Sequence, residues 1–215
     1  MNLQQIGAIA LTDKSRHSYK GVSYLNIYDS LFHQRRLGVK CFVEIGVLNG
    51  ASLRMWADYF PNALIFGIDI NPECKKHESE RIKILIGDQS DDGFLSQIRD
   101  QIPCIDILID DGSHITRHQI QTFNYLFSRV IPGGFYVVED LRNSYEEFID
   151  GHNLRKIWPG MCYNKDSDPL KNARKDFNDW MLGIIKQMDF HDKVNQVCAV
   201  HNYPMIMVLE KALEG

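Results

Sequence analysis

The chain has 215 residues, 44% of them hydrophobic, and a formal net charge of -4, which is enough for one well-buried core and short for two. No basic run is longer than Arg35-Arg36 or Lys75-Lys76, so nothing in the sequence would neutralise a line of phosphates, and nucleic acid is not an expected partner. No amino-terminal leader pattern and no stretch near the roughly 18 apolar residues of a membrane span is present, and the five cysteines are odd in number, scattered and without a C-x-x-C pair. A cytoplasmic protein with buried, reduced thiols is expected.

Residues 1–39 hold a polar stretch, Thr12 to Gly21, and then a helix-like run with Tyr24, Ile27, Tyr28, Leu31 and Phe32 on one face. That aromatic stripe reads as packing against a sheet. From Lys40 the chain alternates strand-like and helix-like segments, the pattern of a parallel sheet covered on both faces. Strands are expected at Cys41–Ile45, Leu64–Ile70, Ile82–Ile86, Ile105–Ile109 and Phe135–Val138. Helices are expected over Ala51–Phe60, about Gly93–Gln101 and about Arg117–Val130. Pro132-Gly133-Gly134 reads as a turn feeding the fifth strand. Residues 141–180 are polar and irregular, carry Trp158, Tyr163, Phe177 and Trp180, and should overhang the strand tips. Two further strands, Val194–Val200 and Met205–Leu209, are divided by His201-Asn202-Tyr203-Pro204 and form an antiparallel hairpin. The fold class is therefore α/β, a doubly wound Rossmann-like sheet of seven strands, mostly parallel, with an antiparallel C-terminal hairpin.

Two of these strands end in acids. Ile109-Asp110-Asp111-Gly112-Ser113-His114 closes the fourth, and Val137-Val138-Glu139-Asp140 closes the fifth. Ligands in open α/β sheets collect at the carboxyl ends of strands. If the two strands are neighbours, Asp111, Glu139 and Asp140 converge, and three carboxylates that close repel unless a hard divalent cation neutralises them. Oxygen ligands suit Mg²⁺ or Mn²⁺ better than Zn²⁺. His114 stands beside them, as a base or as a helix-start residue. Asp110 faces either the metal or a neighbouring ligand. His152, His191 and His201 have no spacing that pairs them with these acids.

The first strand runs into Glu44-Ile45-Gly46-Val47-Leu48-Asn49-Gly50, where a dinucleotide fold places its glycine turn. Leu48 occupies the position at which a pyrophosphate requires the second glycine, which disfavours an NAD(P)-dependent oxidoreductase. A carboxylate at Glu44 suits a ligand with an ammonium group, and S-adenosyl-L-methionine is such a ligand. Asp69 follows Gly46 at roughly the 20-residue spacing of a ribose-binding acid, and Asp88 at the third strand tip is placed for the adenine amino group.

In this order Glu44-x-Gly46-x-x-x-Gly50, Asp69, Asp88, Asp110-Asp111-Gly112-Ser113-His114, Pro132-Gly133-Gly134 and Glu139-Asp140 resemble class I S-adenosylmethionine-dependent methyltransferases. More narrowly they resemble the metal-dependent sugar O-methyltransferases of macrolide tailoring, the mycinamicin type, and their polysaccharide-locus homologues. The resemblance covers about residues 10–145 and the closing Val208-Leu209-Glu210-Lys211. It implies that Asp111, Glu139 and Asp140 hold Mg²⁺ (or Mn²⁺), that His114 is the general base, and that Glu44, Gly46, Gly50, Asp69, Asp88 and Asp110 lie at the cofactor. It also implies that Thr12-Asp13-Lys14 and His17-Ser18-Tyr19 form the family's lead-in, with His17 and Tyr19 near the cofactor. The acceptor would be a sugar hydroxyl of a glycan, nucleotide sugar or glycosylated metabolite. A catechol-type enzyme with a flat acceptor between Trp158 and Trp180 is the rival, and a non-catalytic adenosyl-binding scaffold is disfavoured by the acids and the base. One domain is expected, with a helical lead-in over 1–39, a cofactor and metal core over 40–140, an acceptor cap and helix over 141–190 and a hairpin over 191–215. The extra amino-terminal domain of the macrolide enzymes is not expected, and a homo-oligomer is left open.

Overall fold

The computed structural model describes residues 1–16, 18–19, 21–102, 104–151, 170–190 and 196–213. Helix α1 (Leu3–Ala10) is closed at its start by a capping box between Asn2 and Gln5, each side chain satisfying the other's backbone N–H. After a 3-10 turn at Asp13–Ser15, a short hairpin of β1 (Ser18–Tyr19) and β2 (Val22–Ser23) leads into α2 (Tyr24–Phe32). The Ser23 side chain caps α2 by accepting from Asn26 N–H.

Strands β3 (Cys41–Ile45), β4 (Leu64–Asp69), β5 (Ile82–Ile86), β6 (Ile105–Asp110), β7 (Val130–Val138), β8 (Val197–Tyr203) and β9 (Ile206–Lys211) form one seven-stranded sheet, ordered β5-β4-β3-β6-β7-β9-β8. Strands β3 to β7 pair in parallel, and β9 runs antiparallel to both β7 and β8. The order reverses between β3 and β6, so the crevice in which open α/β sheets hold ligands opens beyond their tips. There Ile45 pairs with Asp110 and Asp110 with Val138, which makes the three tips immediate neighbours.

Helices α1, α2 and α3 (Ala51–Tyr59) cover one face of the sheet. Helices α4 (Asp92–Gln101), α5 (Thr116–Leu126) and α7 (Ala173–Asp189) cover the other, with α6 (Glu146–Gly151) beyond the tip of β7. The aromatic stripe of α2 packs as expected: Tyr28 stacks on Phe32 at 5.6 Å and meets Trp56 of α3 edge-on at 5.4 Å. Phe42 of β3 fills the space beneath, 4.8 Å from Trp56 and 5.4 Å from Phe60.

Several sequence expectations need correction. Pro132-Gly133-Gly134 lies inside β7 and does not precede it; Ile105 pairs with Val130 and Ile107 with Phe135, so the segment bulges out of the ladder. A Cβ on Gly134 would stand 2.7 Å from the Asp106 carbonyl oxygen, which explains a glycine within a strand. Helix α5 stops at Leu126, four residues before the expected end, and a 3-10 turn at Phe127–Arg129 delivers the chain to β7. His201-Asn202-Tyr203 belongs to β8, and the hairpin turns on Pro204-Met205, with φ +68° at Met205. Of the cysteines only Cys74 is buried; Cys41 is half-buried, Cys104 and Cys198 are exposed, and Cys162 lies outside the described residues. No helix among the described residues is long and apolar enough to cross a membrane.

Phe42 is fully buried beneath the α2–α3 aromatic cluster. Phe42→Ala should therefore destabilise the fold by about 3–5 kcal/mol, the range for aromatic truncations in cores, as measured by urea unfolding. A loss below about 1 kcal/mol would contradict this packing.

Candidate active site

A cavity of about 410 Å³ opens at the tips of β3, β4, β6 and β7. Its first wall is the turn after β3. Gly46 has φ +95°, and a Cβ there would meet the Asp111 carbonyl oxygen at 2.2 Å, so only glycine lets the β3 tip lie against the β6 tip. Gly50 caps α3 in the left-handed region at φ +69°, with the His77 ring 2.7 Å from where a Cβ would stand. Asp69 at the tip of β4 pins this turn, its Oδ2 accepting from Val47 N–H at 2.8 Å and Leu48 N–H at 3.2 Å. Its Oδ1 accepts from Asn71 N–H at 2.8 Å. Asp69 also lines the cavity. Leu48 is 75% exposed.

The second wall is acidic. Lys14, on the 3-10 turn after α1, is buried to 2% exposure. Its Nζ donates to Asp111 Oδ2 at 2.6 Å and to both Glu139 oxygens at 2.7 and 2.8 Å, and lies 3.4 Å from Glu44 Oε1. Burial works against its charge, yet the three surrounding carboxylates outweigh burial and hold it protonated. Burial, followed by repulsion from Asp111, drives the Glu139 carboxyl well upward, and Lys14 and Tyr28 oppose that. Helix α2 supplies two hydroxyls one turn apart: Tyr28 donates to Glu139 Oε1 at 2.5 Å and Tyr24 to Asp140 Oδ1 at 2.6 Å.

The remaining acid oxygens face His114. Its Nδ1 is 4.0 Å from Asp111 Oδ1 and its Nε2 is 3.8 Å from Asp140 Oδ2. Both His114 and Asp140 have φ +56°, a conformation that costs a non-glycine residue free energy and that clusters at functional sites. One ligand atom from each of Asp111, His114 and Asp140 lies within 4.8 Å of the others. The carboxylates of this group offer oxygen ligands that suit a hard divalent cation, with the imidazole beside them.

Asp110 lies behind the wall of the cavity. It is fully buried and does not line the cavity. Its oxygens accept from Gln89 Nε2 at 2.8 and 2.7 Å and from the Tyr136 hydroxyl at 3.2 Å. Burial pushes its carboxyl up to about 6 despite these donors. Gln89 in turn accepts from Ser113 N–H at 3.0 Å, so Asp110 fixes the loop that carries Asp111 and His114 through one intermediary. Ser113 Oγ lies 3.0 Å from His118 Nδ1, and burial lowers the pKa of that histidine.

The predicted residues thus divide. Gly46, Asp69, Asp111, His114, Glu139 and Asp140 line the one cavity. Glu44 does not: it is fully buried, accepts from Ser52 Oγ at 2.5 Å and Trp56 Nε1 at 3.2 Å, and lies 3.4 Å from Lys14 Nζ. Asp88 also stands outside the cavity, accepting from Ser90 N–H and Oγ. Tyr19 pairs through its backbone with Val22, and His17 lies outside the described residues, as do Trp158, Tyr163, His152 and His191. Trp180, expected beside an aromatic acceptor, packs on Phe123 and Phe177 in the core between α5 and α7. Lys14 belongs to the expected Thr12-Asp13-Lys14 lead-in, but the sequence assigns neither it nor Tyr24 and Tyr28 to the acid cluster. For the tyrosines the available signal is their four-residue spacing on a helix face, which packing explains equally well.

No protein-family model matches the chain. It is 43% identical over 136 residues to the 8-demethyl-8-alpha-L-rhamnosyl tetracenomycin-C 2'-O-methyltransferase of Streptomyces olivaceus, an alignment covering 60% of this chain and 36% of that protein. It is 39% identical over 169 residues to the demethylmacrocin O-methyltransferase of Streptomyces fradiae, covering 75% of this chain and 38% of that one. The chain thus spans well under half the length of these relatives. Among solved structures, MycE methyltransferase from the mycinamycin biosynthetic pathway, in complex with Mg, SAH and mycinamycin VI, superimposes with a TM-score of 0.76 at 29% identity, over 99% of this chain and 55% of that one. In sequence and in fold, the chain is similar to sugar O-methyltransferases of macrolide and tetracenomycin pathways.

Proposed function

We propose that this chain is an S-adenosylmethionine-dependent, magnesium-dependent O-methyltransferase acting on a sugar hydroxyl of a glycan, nucleotide sugar or glycosylated metabolite. The observation that carries the reading is that one cavity joins the Gly46–Asp69 turn to the Asp111–His114–Asp140 group. Methyl transfer to an alcohol needs a sulfonium donor and an activated hydroxyl side by side, and these two walls suit those two requirements. The 39% identity over 169 residues with a demethylmacrocin O-methyltransferase supports it.

In this reading the Asp69 carboxylate accepts from a ribose hydroxyl, and the Gly46 turn lets the cofactor approach the backbone. Asp111, Asp140 and Glu139 would hold the magnesium ion. When bound, that ion would acidify and orient the acceptor hydroxyl, while the cofactor would present a methyl group on a sulfonium that departs as a neutral thioether. His114 takes the hydroxyl proton on an imidazole nitrogen, and the flanking Asp111 and Asp140 stabilise the imidazolium. Lys14 and Tyr28 fix the orientation of the Glu139 carboxylate. Exposed free thiols at Cys104 and Cys198 suit a reducing cytoplasm.

Three measurements test the assignment. Asp69→Ala should weaken S-adenosylhomocysteine binding, read by calorimetry, by roughly ten- to a hundredfold, the equivalent of one lost charge-assisted hydrogen bond at about 1.5–3 kcal/mol. Unchanged affinity would remove Asp69 from the cofactor site. His114→Ala should bind S-adenosylhomocysteine like the parent while turnover drops by roughly 10² to 10⁴, and a variant with parental turnover would assign proton removal to another group. Chelation with EDTA should stop methyl transfer and leave cofactor binding nearly intact, with Mg²⁺ or Mn²⁺ restoring turnover. Full activity after exhaustive chelation would exclude the metal role.

A further inference from the structure

The ammonium of Lys14 sits among the same carboxylates that the proposed metal needs. It takes Asp111 Oδ2 and both oxygens of Glu139 at 2.6 to 2.8 Å. Glu139 Oε1 also accepts from Tyr28. The position is built: Lys14 is buried, it arrives from a turn 97 residues before Asp111 and 125 before Glu139, and Glu44 stands behind it at 3.4 Å. A divalent ion drawn to Asp111 and Glu139 would meet a fixed positive charge already bonded to the oxygens it requires, and like charges at that separation repel strongly in a buried site.

We infer that Lys14 is an internal rival of the metal: its ammonium and a divalent cation are alternative partners of Asp111 and Glu139, and cation binding releases the Asp13–Ser15 turn from the acid cluster. This rests on the metal-site reading above. The turn packs against α1, α2 and α3. Its local bonds include Ser15 N–H to the Thr12 carbonyl at 3.2 Å, Arg16 N–H to the Asp13 carbonyl at 2.7 Å, Ser15 Oγ to the Thr12 carbonyl at 2.6 Å and Lys14 N–H to Asp13 Oδ1 at 3.0 Å. Lys14 links this lead-in to the charge of the site, and Asp13 of the same turn lines the cavity. Exchange of the ammonium for a metal ion would couple loading of the site to movement of its amino-terminal wall.

Two measurements on the full chain decide it, with Mg²⁺ as the probe. Calorimetric titration at mildly alkaline pH, where protons compete little for the carboxylates, should show Lys14→Met binding Mg²⁺ at least tenfold more tightly than the parent. A neighbouring unit charge shifts a carboxylate's affinity for a proton by roughly one to three decades, and its effect on a divalent ion should be no smaller. Equal or weaker binding by Lys14→Met would overturn the rivalry and make Lys14 a support of the metal site. Because the variant loses a buried ion pair and its folding is at risk, the parent provides the independent test. The Lys14 amine, followed by mass spectrometry, should resist acylation alone and become labelled as Mg²⁺ saturates the site. Continued protection at saturating Mg²⁺ would show that ammonium and metal coexist, which contradicts the inference but leaves the metal site standing. Failure of both proteins to bind Mg²⁺ would instead overturn the metal-site reading, and the inference with it.

Discussion

Carboxylates gathered at the tips of adjacent parallel strands repel one another, and the rest of this site is arranged around that repulsion. The pairing of β6 with β7 brings Asp110, Asp111, Glu139 and Asp140 to one end of the sheet, and each is accommodated differently. Asp110 is withdrawn into the core, where Gln89 and Tyr136 hydrogen-bond it and burial raises its carboxyl to about 6. Glu139 is held by Lys14 and Tyr28. Asp111 divides its oxygens between Lys14 and the side facing His114, and Asp140 divides its own between Tyr24 and His114. What remains turned to the cavity is a small, hard donor set beside an imidazole, rather than an undirected patch of negative charge.

The opposite wall follows from the backbone. Only glycine at position 46 allows the β3 turn to rest on Asp111, so the turn of the proposed cofactor wall and the acid loop share one contact. Asp69 holds two N–H groups of that turn, while Leu48 stands exposed where a pyrophosphate-binding turn has glycine. The cleft is thereby shaped for a ligand without a pyrophosphate. That agrees with the similarity to proteins named as O-methyltransferases.

The sheet was legible because its parallel strands are buried on both faces and read as continuous apolar runs, such as Cys41–Ile45 and Ile105–Ile109, each closed by a turn residue or an acid. Boundaries failed where a local signal had a second use. Pro132-Gly133-Gly134 spells a turn but serves as a bulge, because Gly134 must pass close to the Asp106 carbonyl. In the site, the strand-tip residues Asp69, Asp111, Glu139 and Asp140 could be placed, since topology alone carries them to the crevice. Their partners could not. Lys14, Tyr24 and Tyr28 reach the acids across 97 to 125 residues, and no local pattern distinguishes a tyrosine that packs from one whose hydroxyl continues into a carboxylate. The same holds for Glu44: its need for a cation is visible in the sequence, but not that Lys14 stands beside it.

The central claim is that the cofactor turn and the acid cluster are two walls of one reaction chamber. Paramagnetic relaxation tests it without reference to turnover or to the acceptor. With S-adenosylhomocysteine bound and Mn²⁺ titrated in, the nuclei next to the sulfur should relax markedly faster than those of the adenine ring, because the sulfur end would lie toward Asp111, His114 and Asp140. Equal relaxation along the whole ligand, or none at all while Mn²⁺ is bound, would place metal and cofactor in separate sites and contradict the account.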